Sequence, residues 1–451
     1  IYMIEDEATL AGTPVTEVDA LASLNPAQLP PEERSLNRVD QLLADEDLGL
    51  PDPVTFRTHD YNPALSLDFI GRPNLAVGTN EFGTFVGGGG SAFFSDMLGN
   101  RNLSTLVQVN SSAGEVLNST AAFGTYVNRS GRWDWGVQAG QVPLISRQRA
   151  GGFVGPNTIV IQDLFFWQIN REATGLLEYP FHRSLRAEFS AGVRNTDFAA
   201  RVREIFVTPN GQVLQENERA LTELDTLSSV NTAQASAALV YDNTVFGATA
   251  PMLGQRYRLE VTPRVGDVTY YSALADYRKY FLPFRPFTLA FRGLHLGRYG
   301  GDADDFRLGT YFIGSPSLVR GYDVGFGDFS NCDLLTGVCP GFEELSGSRI
   351  AVFNAEARLP VLGGIGLIPA ANVPPIDLLA FYDAGTAWTR DTEPEPLGGN
   401  RTVFDAAGVG ARINLFGFAI FEVDYAYAFD RLDDQGRRGD WVWDFSVTPG
   451  F

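Results

Sequence analysis

The residues of this 451-residue chain best placed for specific chemistry are one cation and two anions near the end of the sequence. Arg320 stands in Leu318-Val319-Arg320-Gly321-Tyr322, next to a glycine that frees the backbone and within a long stretch of weak periodicity. Glu356, in Asn354-Ala355-Glu356-Ala357-Arg358, and Asp383, in Phe381-Tyr382-Asp383-Ala384-Gly385, each fall on the polar side of an apolar/polar alternation. A guanidinium on a loop and carboxylates on the next two strands form a charge-assisted clamp that would tie the loop inside a barrel. A surface turn that happens to contain an Arg-Gly pair has the same spacing.

No catalytic constellation emerges beside it. His59, His182 and His295 are far apart in the expected topology and belong to neither a Gly-x-Ser-x-Gly elbow nor a His-Glu-x-x-His helix. His182 in a turn and His295 at a strand end read as interfacial side chains. Gly87-Gly88-Gly89-Gly90 lacks the lysine and helix of a phosphate loop and reads as a strand thinned for close approach. Asp302, Asp304 and Asp305, and separately Asp433, Asp434 and Asp440, offer Ca²⁺-type oxygens, but a solvated acidic loop accounts for them more simply. The expectation is no enzyme, no metal and no cofactor. Cys332 and Cys339 enclose six residues and are the only cysteines, a pair readily bridged as a disulfide in an oxidising compartment. No neighbouring His or Cys completes a metal site around them.

Composition points to strands and turns. Gly 48 and 12% aromatic residues stand beside 3 Met and 3 His. A mean hydropathy of −0.06 and the lack of any apolar run of about eighteen residues rule out a transmembrane helix. The net charge of −20 argues against nucleic acid, whose phosphates would be repelled. Residues 1–63 differ from the rest: acidic, rich in Pro and Leu, with a helix expected after Pro30-Pro31-Glu32-Glu33 and a short strand, Ile1-Tyr2-Met3-Ile4, with no partner in sight. This reads as a periplasmic extension. Position 1 is Ile and no leader-like segment follows, so either a signal peptide has been removed or a domain lies upstream.

From residue 64 the pattern is dyadic, in segments of about ten residues separated by alternately tight and long connections. Tyr257, Leu259 and Val261 oppose Arg258, Glu260 and Thr262; Phe287, Leu289 and Phe291 oppose Thr288, Ala290 and Arg292. Strands are expected at 64–80, 82–95, 101–112, 116–129, 131–144, 158–174, 184–206, 232–244, 255–266, 267–281, 286–299, 348–360, 376–389, 401–414, 417–430 and 441–451. Outward loops are expected near 207–231, 300–347 and 431–440, and short periplasmic turns at places such as Leu282-Pro283-Phe284. Phe165, Phe166 and Trp167 read as an interfacial aromatic cluster. Period alone does not say which face meets water. Unequal loops, aromatic strand ends and an aromatic final strand favour an inverted, membrane-spanning arrangement. The fold class is therefore all-β, a barrel of about sixteen antiparallel transmembrane strands over residues 64–451.

The final strand, with Trp443, Phe445, Val447 and terminal Phe451, resembles the assembly signal of Gram-negative outer-membrane barrels, although Pro449 stands where an apolar residue is usual. Val319-Arg320-Gly321-Tyr322 resembles the loop motif of the BamA-type superfamily, the bacterial surface antigens. Phe381-Tyr382-Asp383-Ala384-Gly385-Thr386-Ala387-Trp388 is similar to that family's aromatic-Asp-x-Gly-Thr-x-Trp strand. The resemblance implies that the loop between the eleventh and twelfth strands folds into the lumen, where Arg320 meets Glu356 and Asp383. It implies outer-membrane localisation and the insertion or translocation of protein or lipid, with membrane lipid and substrate polypeptides as partners. The substrate-handling POTRA repeats of that family are not visible; the opening segment resembles the end of a TolB-like propeller. A scaffold barrel anchoring a periplasmic or surface partner is the alternative, and a passive diffusion pore a weaker one.

Overall fold

The computed structural model describes residues 2–3, 57–58, 60–71, 74–80, 83–110, 118–155, 158–220, 228–322, 343–363, 366–368, 373–394, 398–415, 417, 419–432 and 438–447. The chain divides into two compact units, Ile1–Ala64 and Leu65–Phe451. In the first, Tyr2–Met3 pairs antiparallel with Arg57–Thr58, so the short opening strand has a partner at the far end of its own unit. Local pattern gave no sign of that pairing because its two halves are more than fifty residues apart in sequence. The helix expected after Pro30 lies outside the described residues.

In the second unit sixteen antiparallel strands close one sheet into a barrel. They are β1 (Ser66–Ile70, continued by Asn74–Asn80), β2 (Gly83–Ser95), β3 (Arg101–Asn110), β4 (Ala121–Asn128), β5 (Asp134–Gly155), β6 (Thr158–His182), β7 (Leu185–Val207) and β8 (Val230–Asp242). Then follow β9 (Pro251–Gly266), β10 (Tyr270–Phe284), β11 (Phe287–Tyr299), β12 (Arg349–Leu362), β13 (Ile376–Trp388), β14 (Phe404–Asn414), β15 (Ile420–Leu432) and β16 (Arg438–Val447). Each strand runs antiparallel to its neighbours, so the connections after odd-numbered strands share one rim. That rim carries the long segments, and the other carries turns as short as the two residues between β6 and β7.

Burial is inverted relative to a water-soluble protein. On β16, Trp443, Phe445 and Val447 are 59%, 69% and 62% exposed, while Asp444 between them is 4% exposed. Buried charge is otherwise expensive, so the arrangement is stable only with the apolar face against acyl chains and the acids neutralised inside. Tyr425 continues the outer face, its ring 4.5 Å from both Trp441 and Trp443.

Four expectations change. β5 and β6 are far longer than 131–144 and 158–174, and the 207–231 connection contains a further strand, Val213–Ala220, paired back onto β7 from Arg201 to Val207. Here Arg203 and Arg201 form ion pairs with Glu216 and Glu218 at 2.5 and 2.9 Å. Where both faces of a hairpin are wet, alternation disappears although the backbone ladder continues, so apolar periodicity underestimates such strands. β10 continues through Leu282-Pro283-Phe284, and the turn comes at Arg285-Pro286. Phe165 and Trp167 are buried and Trp167 donates to Ser119 Oγ at 3.2 Å, so this pair faces protein rather than a membrane interface.

Candidate functional site

After β11 the chain forms a single 3₁₀ turn, Phe306–Leu308, and then a short antiparallel pair, Tyr311–Phe312 with Ser346–Gly347. Ile313, Val319, Tyr322 and Leu345 from this loop are buried against Ile350 and Val352 of β12, Ala387 of β13, and Phe404 and Ala406 of β14. Burying a side chain of this size contributes about 1.5–3 kcal/mol. An apolar cushion therefore holds the loop against the wall in addition to any matched charge. The Val319 N–H donates to Ile313 O at 3.1 Å, which turns the following residue towards β13.

Arg320, 2% exposed, grips Asp383 with two sides of its fork: Nε to Oδ2 at 2.7 Å and Nη2 to Oδ1 at 2.8 Å. Its backbone N–H also donates to Asp383 Oδ2, at 3.3 Å. Glu356 lies 3.0 Å from Nη2, Glu422 3.3 Å and Asp424 3.7 Å from Nη1. The guanidinium carbon stands 3.6 Å from the ring centroid of Phe381. The planar guanidinium suits both requirements, a bidentate carboxylate in its plane and an aromatic face against it.

Both expected acids thus reach Arg320, but the seat is larger than a triad. Glu356 is shared: Arg358 Nε contacts it at 2.7 Å and Arg412 at 3.0 Å, while Arg412 also holds Glu422 at 2.8 Å. Asn354 donates to Leu318 O at 2.7 Å and to Asp383 Oδ1 at 2.8 Å, linking loop backbone to clamp. Glu422, Asp424, Asp444, Asn354 and Arg412 were not singled out from the sequence. The available signal was their position on the polar face of β12, β14, β15 and β16, in phase with Glu356.

Gly321 follows with φ of +85°, and its N–H donates to Asp444 Oδ2 on the last strand. A side chain there would be strained and would crowd Ala426 and Ala428. Tyr322 donates to Asp405 O at 2.7 Å, accepts from Asp430 N–H at 3.1 Å, and meets Phe404 edge-on. Across the motif, Val319, Arg320, Gly321 and Tyr322 engage the wall from β12 to β16.

Cys332, Cys339 and Phe451 lie outside the described residues. Asp302, Asp304 and Asp305 do not converge; they accept from Thr269 N–H, Arg390 N–H and Arg307 respectively. His182 accepts from Ser184 N–H in its turn, whereas His295 bonds Tyr299 Oη at 2.6 Å and stacks on Trp388, so it is held by protein partners rather than standing at an interface. The clamp sets Arg320, Arg358 and Arg412 among Glu356, Asp383, Glu422 and Asp424, a geometry suited to fastening the loop.

Residues 170–448 match the Omp85 superfamily domain. Among solved structures the chain is similar to BamA from Haemophilus ducreyi lacking POTRA domains 1–3, at 12% identity and a TM-score of 0.50, covering 86% of this chain and 71% of that one. It is also similar to CdiB from Acinetobacter baumannii, at 13% identity and a TM-score of 0.45, covering 85% of this chain and 65% of that one. For CdiB from Escherichia coli the identity is 11% and the TM-score 0.40, covering 87% of this chain and 64% of that one. The chain spans less than two thirds of either CdiB. No curated protein matches the sequence.

Proposed function

The chain belongs to the Omp85 superfamily of bacterial outer-membrane barrels, and from that premise we propose that it inserts or translocates protein or lipid into or across the outer membrane. Members of this superfamily act as transporters and insertases, not enzymes. The observation that carries the reading is a loop fastened inside the barrel: Arg320 and its neighbours tie the β11–β12 loop to the inner wall. A loop held there favours a route through the wall over an open diffusion pore.

The first strand supports that route. All five residues of Ser66–Ile70 are exposed, and the pairing with β2 shifts register between Leu67 and Phe69. A first segment of only five residues offers its other neighbour, β16, a short ladder, and a short edge parts at low cost. In this reading Val319 to Tyr322 hold the loop, Glu356 and Asp383 anchor it, and Trp443, Phe445, Val447 and Phe451 guide assembly of the closing strand. Membrane lipid and a client polypeptide are the partners.

The test is a set of cysteine pairs joining residues 66–70 to residues 441–447, with Cys332 and Cys339 replaced by serine. Loss of growth or export on oxidation, restored by reductant, supports the proposal. Normal growth with the seam fully cross-linked would refute it and favour a scaffold barrel that works through a bound partner.

A further inference from the structure

The lumen holds a second polar site, remote from Arg320 in the sheet order. A cavity of about 190 Å³ opens where β6 to β11 meet the 3₁₀ turn of the loop. Arg194 of β7, Arg264 of β9, Arg298 of β11 and Arg307 of the turn line it, with Tyr270 and Tyr311, and no Asp or Glu does so among the described residues. In a chain of net charge −20 this is an unusual gathering of cations.

The four arginines are not equally satisfied. Arg307 is neutralised by Asp305 at 2.7 Å. Arg298, 5% exposed, donates Nη1 to Leu308 O at 2.9 Å and Nη2 to Gly309 O, and lies 4.9 Å from the centroid of Tyr311. These partners are neutral, and no ion pair matches its charge among the described residues. Arg264 Nη1 donates to Tyr270 Oη at 3.1 Å, again a neutral acceptor. Arg194 has no hydrogen bond or ion pair among the described residues; Glu172 stands opposite in the ladder without an ion-pair contact. The Nε atoms of Arg194, Arg264 and Arg298 are all buried without an acceptor.

Buried donors on three cations carry a desolvation cost that an anion would relieve. A carboxylate would neutralise one of them. A phosphoryl group brings up to two charges and three acceptor oxygens, the match for guanidinium forks converging from separate strands. We propose that this cavity is an anion site that takes a phosphoryl group, from a lipid headgroup or from a soluble phosphate ester. The site is independent of whether the barrel inserts or secretes.

The test uses the full chain purified in neutral detergent, with inorganic pyrophosphate and short-chain phosphatidic acid in mixed micelles as probes and phosphatidylcholine as control. Saturable binding of at least one phosphoryl probe is expected, weakened at least tenfold in the double variant Arg194→Gln, Arg264→Gln. Arg171→Gln, which breaks an exposed pair with Asp197 outside the four-arginine cluster, should leave it unchanged. Binding of pyrophosphate alone assigns a soluble ester, binding of the lipid alone a headgroup, and binding of both the shared group. No saturable binding of either, or undiminished binding in the double variant, overturns the proposal. If that variant does not fold, the wild-type unfolding midpoint decides. Pyrophosphate should raise it above the value in sodium chloride of equal ionic strength, or phosphatidic acid above the value in phosphatidylcholine, and no shift with either overturns the site.

Discussion

The Cβ that Gly321 lacks would stand 3.1 Å from the Cβ of Ala428 on β15, with the backbone already at φ +85°. Crowding and strain therefore act together at one residue. Gly321→Ala should loosen the loop by about 1–3 kcal/mol, read as faster proteolysis of the 300–347 segment in the folded barrel. Ala428→Gly should restore only part of the loss, since it removes the nearer contact and leaves Ala426 and the strain. Full restoration would show that φ at this position costs nothing.

Arg320→Ala leaves Asp383, Glu356, Glu422 and Asp424 facing one another with one cation fewer. Removing one partner of a buried pair costs about 3–5 kcal/mol. Arg320→Lys keeps the charge but loses the fork and should recover less than half. Asp383→Asn should be more harmful than Glu422→Gln, because Asp383 accepts the Arg320 fork, the Arg320 backbone N–H and Asn354, whereas Arg412, the bidentate partner of Glu422, keeps a second bidentate contact with Glu356. Unfolding of the purified barrel in denaturant checks the order; equal losses at the two acids would contradict it.

Gly385 of β13 leaves room for Val319, whose Cγ2 would be 2.6 Å from an added Cβ. Overpacking a filled core costs about 1–3 kcal/mol. Gly385→Ala should destabilise the loop seat by that order, and Val319→Ala in the same chain should relieve it. A double-mutant cycle reads the coupling; strict additivity would mean that the two residues do not compete for this space.

The outer face predicts the opposite sensitivity. Phe445→Arg puts a charge among acyl chains and should cost about 2–4 kcal/mol if it sits near mid-membrane, falling towards about 0–1 at an interface. Phe445→Leu should be almost silent. Refolding yield into lipid vesicles measures the difference, and an unaffected Phe445→Arg would show that this face does not meet lipid.

Outside the strands, the Arg307 side chain holds the Asp305 carboxyl below its ordinary range against the opposing effect of partial burial, with the Arg307 backbone N–H adding to the lowering. A carboxylate lowered in the folded state stabilises above its unfolded pKa and loses that contribution as pH falls through the folded value. The 3₁₀ turn should thus stay protected from amide exchange at neutral and mildly acidic pH. It should open only below the usual carboxylate range. Asp305→Asn should remove this dependence; the same pH profile in that variant would assign it elsewhere.

Much of this molecule is legible in its sequence because a barrel strand is a local object. Strict alternation in Trp441 to Val447 fixes which side chains face outward, and the phase of Glu356 and Asp383 places both on the inner wall. The glycine after Arg320 marks the turn that presents it. What local pattern does not contain is how far apart in the chain a partner stands. Glu422, Asp424 and Asp444 lie about a hundred residues or more beyond Arg320, and only closure of the sheet brings β15 and β16 to the loop that β13 already holds. The four-arginine cavity is a still purer case, since its cations come from three strands and a loop with no common motif. Alternation determined which side chains enter the lumen. Curvature of the closed sheet decided which of them meet, because closure sets strands side by side around one lumen however far apart they stand in the chain.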